Sequence, residues 1–417
     1  MIAAGATLPL LIEKPAVGGR MIARADGQIV LVSGAIPGER VQARIDRVSK
    51  SVGYADTIAV DDPSPDRRQP FTDLACGGSL YAHIAYPRQL AIKALVIADA
   101  FARIGRLPLP GPLAVAPSPE EGYRMRARLH VRGRRVGFFR EGTHEVCDAR
   151  ETRQLLPATC DVIDRVSAAL RSVGADAVRE IELSENIDAR ERVMHFETVE
   201  RVDSRVLDKL TAIDGITRGP YVTDTLRLGD HQVSLRRHVQ AFFQGNRYLL
   251  TDLVGHVVEQ VPRGGSLIDL YAGVGLFAVA AAVTRAAHVR AVEGDPFAAA
   301  DLQANAAAAG EAIVATKDAV ERFLSSGTAR RAAGPPPQTV IVDPPRTGLS
   351  REALDGLIGS DATRLVYVSC DVATLARDAR RIVDAGYPIA AAHAFDLFPN
   401  TPHVETVVVF DRLSRDG

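Results

Sequence analysis

Residues 268–277 read Ile-Asp-Leu-Tyr-Ala-Gly-Val-Gly-Leu-Phe. An apolar run, Ser266–Leu270, ends in a turn with two glycines, and apolar residues at helical spacing begin at Leu276. Gly273 and Gly275 allow the backbone to come close to a ligand and leave helix-start N–H groups free. The next apolar run stops against Glu293, and an acid there can accept hydrogen bonds from both ribose hydroxyls of an adenosine. An ordinary tight strand–helix turn would use the same glycines, so the pairing with Glu293 is what favours a nucleoside. The turn lacks the full G-x-G-x-x-G spacing, which disfavours NAD.

Outward from this turn, strands are predicted at Ser266–Leu270, His288–Val292, Thr339–Val342, Arg364–Ser369, Ile389–Phe395 and Val404–Phe410. Helical runs such as Leu276–Thr284, Pro296–Ala309 and Ala373–Asp384 separate most of them. The pattern predicts a doubly wound α/β domain from about residue 240. The last two strands have no helix between them and are expected to pair antiparallel. Asp343 follows one strand and precedes Pro344 and Pro345, which hold the chain extended and can shape a pocket wall. Cys370 follows another strand, just before a helix and beside Asp371. Proximity to a helix N-terminus favours a thiolate, although a lone cysteine is often only a small buried hydrophobe. Glu405 opens an apolar strand, either as an exposed first residue or as a positioned general base.

Upstream, residues 8–61 hold short β-rich runs broken by turn signals and suit a small barrel. Residues 61–68 read as a linker. A helix is expected over Pro87–Ile104, with Leu90, Ala91, Leu95, Ala98, Phe101 and Ala102 at helical spacing, then a Pro/Gly-rich loop. In residues 123–140, Arg124, Arg126, Arg128 and Arg132 alternate with Met125, Ala127, Leu129 and Val131. A period of two predicts a strand with one basic and one apolar side. Arg134, Arg135 and Arg140 extend the run, which is either a solvated face or a phosphate-binding one. A further helix is expected over 157–174, followed by more β-rich sequence to about 236.

The chain has 417 residues, suggesting two or three domains, and a formal net charge of -1, so any basic surface must be local. Four cysteines do not make a disulfide scaffold. No apolar run approaches the roughly 18–20 residues of a membrane span. The N-terminus has no basic region of the kind that opens a signal peptide. Reduced thiols, a cytoplasmic location and no membrane partner are expected. Nothing demands more than a monomer.

Together these motifs resemble the RNA uracil-C5 methyltransferases, which make 5-methyluridine in tRNA and 23S rRNA. The resemblance rests on the N-terminal barrel, similar to a TRAM domain, on CGGSLYAHIAYPRQLAIK at 76–93, and on YRMRARL from Tyr123. It continues through FFQGN at 242–246, DLYAGVGLF, DPPRTGL, SCD and HVET, in the family's order. It implies an α/β chain of three modules: a TRAM-like barrel (1–62), a central α+β RNA-binding domain (63–236) and a Rossmann-like methyltransferase domain (237–417). The helix at 87–104 is expected to pack on the last of these.

The resemblance also implies that Gln244, Tyr271, Glu293 and Asp343 contact S-adenosylmethionine or frame the site, that Cys370 is the nucleophile and that Glu405 is the proton acceptor. The target would be RNA, with 23S rRNA favoured over tRNA. Arg346 stands where amino-group methyltransferases carry an aromatic residue, which argues against adenine-N6 chemistry. One departure concerns the family's iron–sulfur cysteines. Cys76 is kept, but Pro70, Ser79 and about Thr152 occupy the other positions, and Cys147 and Cys160 do not restore the pattern. No iron–sulfur cluster or other metal is expected, and Cys76 is read as a packing residue. Two alternatives stay open: a catalytically inactive RNA-binding protein with this fold, and a methyltransferase acting on another substrate.

Overall fold

The computed structural model describes residues 2–133, 135–172, 177–200, 202–285, 287–310, 312–326 and 338–413. The N-terminal module is a six-stranded sheet built from β1 (Thr7–Leu11), β2 (Lys14–Pro15), β3 (Met21–Ala25), β4 (Gln28–Ser33), β5 (Arg40–Ser49) and β6 (Val52–Asp62). Its order is β1-β5-β6-β4-β3-β2, and alternate residues such as Leu10, Val30, Val41 and Ile45 fill its inside. The stretch expected to be a linker is pinned. Asp61 and Asp62 still belong to β6, and Arg67 reaches back to the fully buried Glu39 of the barrel.

Helix α1 (Tyr86–Ala100) starts with Pro87 in its first turn and ends in a π-helical turn, Phe101–Gly105. Of its expected apolar face, Phe101 is buried and Leu90 packs on the core, but Ala91, Leu95, Ala98 and Ala102 are exposed. The buried face is Gln89, Ile92, Lys93, Val96, Ile97 and Ala100, while Leu95 is 51% exposed. Two polar side chains are buried because each meets a polar partner on another element, information that helical periodicity does not carry. The Pro/Gly-rich loop that follows also hides a short strand, β7 (Val115–Ala116).

The central sheet, in the order β10-β9-β8-β11-β12, contains β8 (Arg126–Arg132), β9 (Arg135–Phe139), β10 (Val146–Asp148), β11 (Val178–Glu185) and β12 (Arg192–Thr198). Between β10 and β11 lies α2 (Pro157–Ser172), which packs on it; residues 173 and 174 of the expected helix fall outside the described residues. Then come α3 (Ser204–Thr211) and a hairpin, β13 (Tyr221–Leu228) and β14 (His231–His238), whose apolar residues pack on helices of the C-terminal module.

That module runs α4 (Leu250–Glu259), β15 (Ser266–Leu270), α5 (Leu276–Arg285), β16 (His288–Glu293), α6 (Pro296–Ala309), β17 (Ile313–Lys317), α7 (Val320–Ser325), β18 (Thr339–Val342), α8 (Arg351–Ile358), β19 (Arg364–Ser369), α9 (Val372–Asp384), β20 (Ile389–Phe395) and β21 (Glu405–Asp411). Its sheet order is β17-β16-β15-β18-β19-β21-β20-β7. Strands β15 to β19 are parallel, and β21 lies antiparallel between β19 and β20, as the missing helix predicts. Helix starts are capped by side chains: Asp295 accepts from the N–H groups of Phe297 and Ala298, Ser350 from Ala353, and Asp371 from Thr374.

One apolar cluster runs from the barrel (Leu10, Ile36) through α1 (Ile92, Ile97) to α9 (Leu375, Ile382). The N-terminal module and the C-terminal sheet therefore share a core. No described helix is long and apolar enough to cross a membrane.

Candidate active site

The parallel strands β15, β16, β18 and β19 all end on one edge of the sheet, where doubly wound folds build their sites. Because β21 runs the other way, its first residue arrives at that same edge. Ser369 pairs with Thr406 across the β19–β21 ladder, so Cys370, just past β19, and Glu405, opening β21, fall side by side. Around them is a cavity of about 420 Å³, lined by Gln244, Tyr271, Gly273, Glu293, Asp343, Arg346, Cys370, Glu405 and several phenylalanines.

The first glycine turn is shaped for close approach. Tyr271 has φ 60° and Gly273 φ 55°. A Cβ added at Gly273 would have only Phe242 O, 3.9 Å away, as neighbour, so the turn opens on free space. At Gly275 (φ 95°) a Cβ would strike Leu302, 2.9 Å away. Glu293 stands at the end of β16, its Oε2 accepting from Gly273 N (2.8 Å) and its Oε1 from Asp295 N (2.7 Å). Gln244 Nε2 donates to Asp343 Oδ2 at 3.1 Å, joining two of the expected residues directly.

The electrostatics differ from expectation at Cys370. Proximity to the start of α9 predicts a favoured thiolate, yet the thiol is pushed up to about 11. Burial is the main cause, the negative charges of Glu405 and Asp343 add to it, and Arg346 opposes it. Asp371, beside it, is occupied as the cap of α9. Burial, partly offset by the Gln244 hydrogen bond, raises the Asp343 carboxyl to about 7. Glu405 is 1% exposed, not an outward-facing first residue, and burial together with Asp343 holds its carboxyl well above the usual range. The carboxyls of Glu293, Asp295, Asp343 and Glu405 line the cavity with, among the described residues, the single cation Arg346, and a positive ligand bound there would favour the ionised forms of Asp343 and Glu405. Such a site is poised for a cationic ligand.

The residues present fit S-adenosylmethionine: a carboxylate at the ribose position, an open glycine turn, apolar walls and an anionic rim for a sulfonium. Sequence reasoning overlooked Phe242, which is 61% exposed at the mouth, and Phe398. Phe242 lay in a motif already recognised, but its exposure is a tertiary fact.

Of the seven arginines proposed for phosphate contact, several are neutralised from a strand distant in sequence. Arg126 and Arg128 pair with Glu182, and Arg128 also with Glu180, both on β11. Arg140 pairs with Asp73. Arg132 donates to Val131 O, and Arg135 to Val146 O. Arg124 is held by Gln154 Oε1 (2.8 Å) and Arg126 O (3.0 Å). Arg134 lies outside the described residues.

Cys76 is not a packing residue, and the chain's thiols are not all free: Cys76 and Cys147 form a disulfide. The pairing arises because Gly77 N bonds Phe139 O on β9 while β10, carrying Cys147, is the next strand. A separation of 71 residues conceals this in the sequence. Cys160 and Cys370 are free. Among the described residues no group of three or more His, Cys, Asp or Glu could hold a metal.

A doubly wound sheet, a glycine turn answered by Glu293, and a cysteine–carboxylate pair at the same edge define an S-adenosylmethionine-dependent methyltransferase. Residues 4–58 match the TRAM domain model, and residues 336–413 match the model described as tRNA (uracil-5-)-methyltransferase. The chain is 30% identical to an uncharacterized RNA methyltransferase of Nitratidesulfovibrio vulgaris, over 99% of this chain and 97% of that one. It is 31% identical to 23S rRNA (uracil(1939)-C(5))-methyltransferase RlmD of Acidithiobacillus ferrooxidans, over 97% of each. Among solved structures it resembles Pyrococcus abyssi tRNA (uracil-54, C5)-methyltransferase in complex with S-adenosyl-L-homocysteine. That match has TM-score 0.74 and 25% identity, covering 96% of this chain and 99% of the other. The chain belongs to the RNA uracil-C5 methyltransferase family.

Proposed function

We propose that this enzyme methylates C5 of a uridine in 23S rRNA through a covalent adduct between Cys370 Sγ and C6 of the uracil. The observation that carries the reading is that Cys370 and Glu405, side by side at the sheet edge, line the same cavity as the glycine turn and Glu293.

Uracil C5 is a weak nucleophile. Once the Cys370 pKa is lowered beside the bound cationic donor and the thiol proton has left to solvent, the thiolate adds to C6 and the ring's C5–C6 electron pair moves into an enolate with density at C5. Bound S-adenosylmethionine supplies an electrophilic methyl to that carbon. Glu405, ionised beside the bound cationic donor and made a stronger base by its burial, then takes the C5 proton, the C5–C6 double bond re-forms, and the Cys370–C6 bond breaks to release the thiolate. Glu293, Gly273 and Tyr271 hold the nucleoside part of the methyl donor, while Gly275, expected beside them, does not line the cavity and packs the turn against Leu302 of α6. Gln244 and Asp343, already bonded to each other, frame the reacting base; a protonated Asp343 can donate to a ring carbonyl where enolate charge develops.

The target base must leave its stack to reach this cavity. We assign residues 1–62 and 63–236 to holding the RNA and residues 237–417 to the chemistry. Arg124 and the arginines beside it remain the proposed phosphate contacts, two of them, Arg126 and Arg128, after exchange of a glutamate partner. An RNA substrate of this kind places the protein in the cytoplasm. The preference for 23S rRNA rests on the RlmD relatives, which match along 94% or more of this chain. The tRNA reading is favoured instead by the name of the solved archaeal structure.

The test is incubation with 23S rRNA and tRNA fragments carrying 5-fluorouridine. Fluorine does not leave as a proton does, so a covalent protein–RNA species is expected with the true substrate. Mapping 5-methyluridine in RNA from a deletion strain identifies the position. RNA binding with no adduct on either RNA would instead favour an inactive scaffold.

A further inference from the structure

Beside the catalytic cavity lies a second one of about 430 Å³, and the two share Arg346 and Phe398 in their walls. Its other walls come from every part of the chain. Gly18 belongs to the barrel, residues 74–78 to the disulfide-stapled loop, Arg124 and Phe138 to the central sheet, and Thr401–His403 to the approach to β21. A space formed only where three modules meet has no counterpart in any one of them.

Its chemistry is selective. Arg124 and Arg346 both line it, and among the described residues neither pairs with a carboxylate, whereas Arg126, Arg128 and Arg140 all do. Arg124 lies over the Phe138 ring, 5.3 Å from its centroid. Phe138, Phe139 and Phe398 supply aromatic surface. His403 is held neutral, its imidazole pushed down to about 4 by burial and by Arg346, Lys93 and Arg124. Glu141 also lines the cavity, and its side chain is solvent-exposed. Two unneutralised guanidinium groups, one of them over an aromatic ring, in a cavity with aromatic walls suit a phosphate joined to a nucleobase.

Extruding a uridine unstacks its neighbours, and the bond to the next nucleotide is too short for that neighbour to remain far away. We propose that the second cavity is a nucleotide subsite: it takes an unstacked nucleoside adjoining the target uridine, and Arg124 and Arg346 hold the intervening phosphate. This rests on the reading of the first cavity as the site of a uridine in RNA. It makes the enzyme a reader of a two-nucleotide unit, with the sequence preference set partly by this neighbour.

The test is a double-mutant cycle between protein and RNA. Ala75 touches only the second cavity, so Ala75→Trp fills it, and Arg124→Gln removes one cation while keeping length. Binding to a short substrate RNA is measured for the natural sequence and for abasic substitution on each side of the target, with thermal melting as the folding control. At one flanking position the abasic change is expected to weaken wild-type binding about tenfold. Ala75→Trp should weaken binding to intact RNA by a similar factor, and the two together should cost no more than either alone. Independent losses at both flanking positions, or wild-type affinity in Ala75→Trp, overturn the subsite. If Ala75→Trp melts early, Arg124→Gln carries the same cycle. The 5-fluorouridine adduct in the wild type reports separately on the uridine reading, so a normal adduct without coupling rejects the subsite alone.

Discussion

Asn400 and Gln89 are 311 residues apart in the chain and hold each other through two hydrogen bonds. Asn400 N donates to Gln89 Oε1 and Gln89 Nε2 donates to Asn400 Oδ1, both at 2.9 Å. Arg68 also donates to Asn400 Oδ1 (2.8 Å), and Tyr81 N to Asn400 O (2.8 Å). Asn400 has φ 64°, a left-handed conformation that asparagine tolerates better than most residues. It lies in the loop that delivers His403 and Glu405. Helix α1, from the N-terminal half, thus fixes the approach of the proposed base.

Asn400→Gly keeps the left-handed turn but loses the acceptor, whereas Asn400→Ala loses both. The expected order of stability is wild type, then Gly, then Ala, with Ala about 2 kcal/mol below wild type. Turnover should fall more than RNA affinity does. Thermal melts and single-turnover methylation check this; equal loss in Gly and Ala would show that backbone strain is not a factor.

Lys93 and Asp396 form a buried ion pair at 2.5 Å, the side chains 1% and 0% exposed. Lys93→Met leaves Asp396 charged, buried and without this partner, so a loss of about 3–5 kcal/mol is expected. Lys93→Met combined with Asp396→Leu should recover most of it. Chemical denaturation of the four proteins measures the coupling.

Asp343 titrates at about 7 in the fold against an ordinary value of 3.8, because burial disfavours its charge. The folded state binds that proton more tightly than the unfolded state does. Its contribution to stability is therefore full below pH 3.8 and is lost as pH rises to about 7. Asp343→Asn should stabilise the ligand-free protein above pH 7, by at most about 4 kcal/mol, and give no gain below pH 4, while methylation is lost. Melting curves across this range decide it.

The Cys370 thiol, at about 11, should react slowly with iodoacetamide at neutral pH and faster as pH rises. A positive ligand in the cavity lowers that value, so the cationic analogue sinefungin is expected to accelerate alkylation at pH 8. Cys370→Ala should abolish methylation and adduct with the fold kept, and Glu405→Gln should accumulate the covalent species. Normal activity in Cys370→Ala would end the mechanism.

Denatured, unreduced protein should show two thiols, Cys160 and Cys370, and four after reduction. Cys147→Ser should cost up to about 4 kcal/mol, since the closed loop is long. Four thiols before reduction would contradict the pairing.

Much of the catalytic sheet could be read from sequence because its strands are short apolar runs ended by distinctive turns. The exposed edge strand β17 was missed, as was β7, since half-buried two- to five-residue strands carry little periodicity. The glycine turn, Glu293, Asp343, Cys370 and Glu405 stood out because each ends or opens a strand. Which acids neutralise Arg126 and Arg128 did not, because Glu180 and Glu182 lie about fifty residues away and only strand register brings them opposite.

The order of local motifs along the chain was enough to determine the doubly wound sheet and to single out the glycine turn and the residues proposed to react. Local patterns of polarity and glycine placement act through the backbone of the segment that carries them. The burial of Gln89 and Lys93, the Cys76–Cys147 bond, the suppressed acidity of Cys370 and the second cavity were decided only by the tertiary structure. Each depends on partners brought close from remote parts of the chain, and burial and electrostatics act through space between groups that sequence separates.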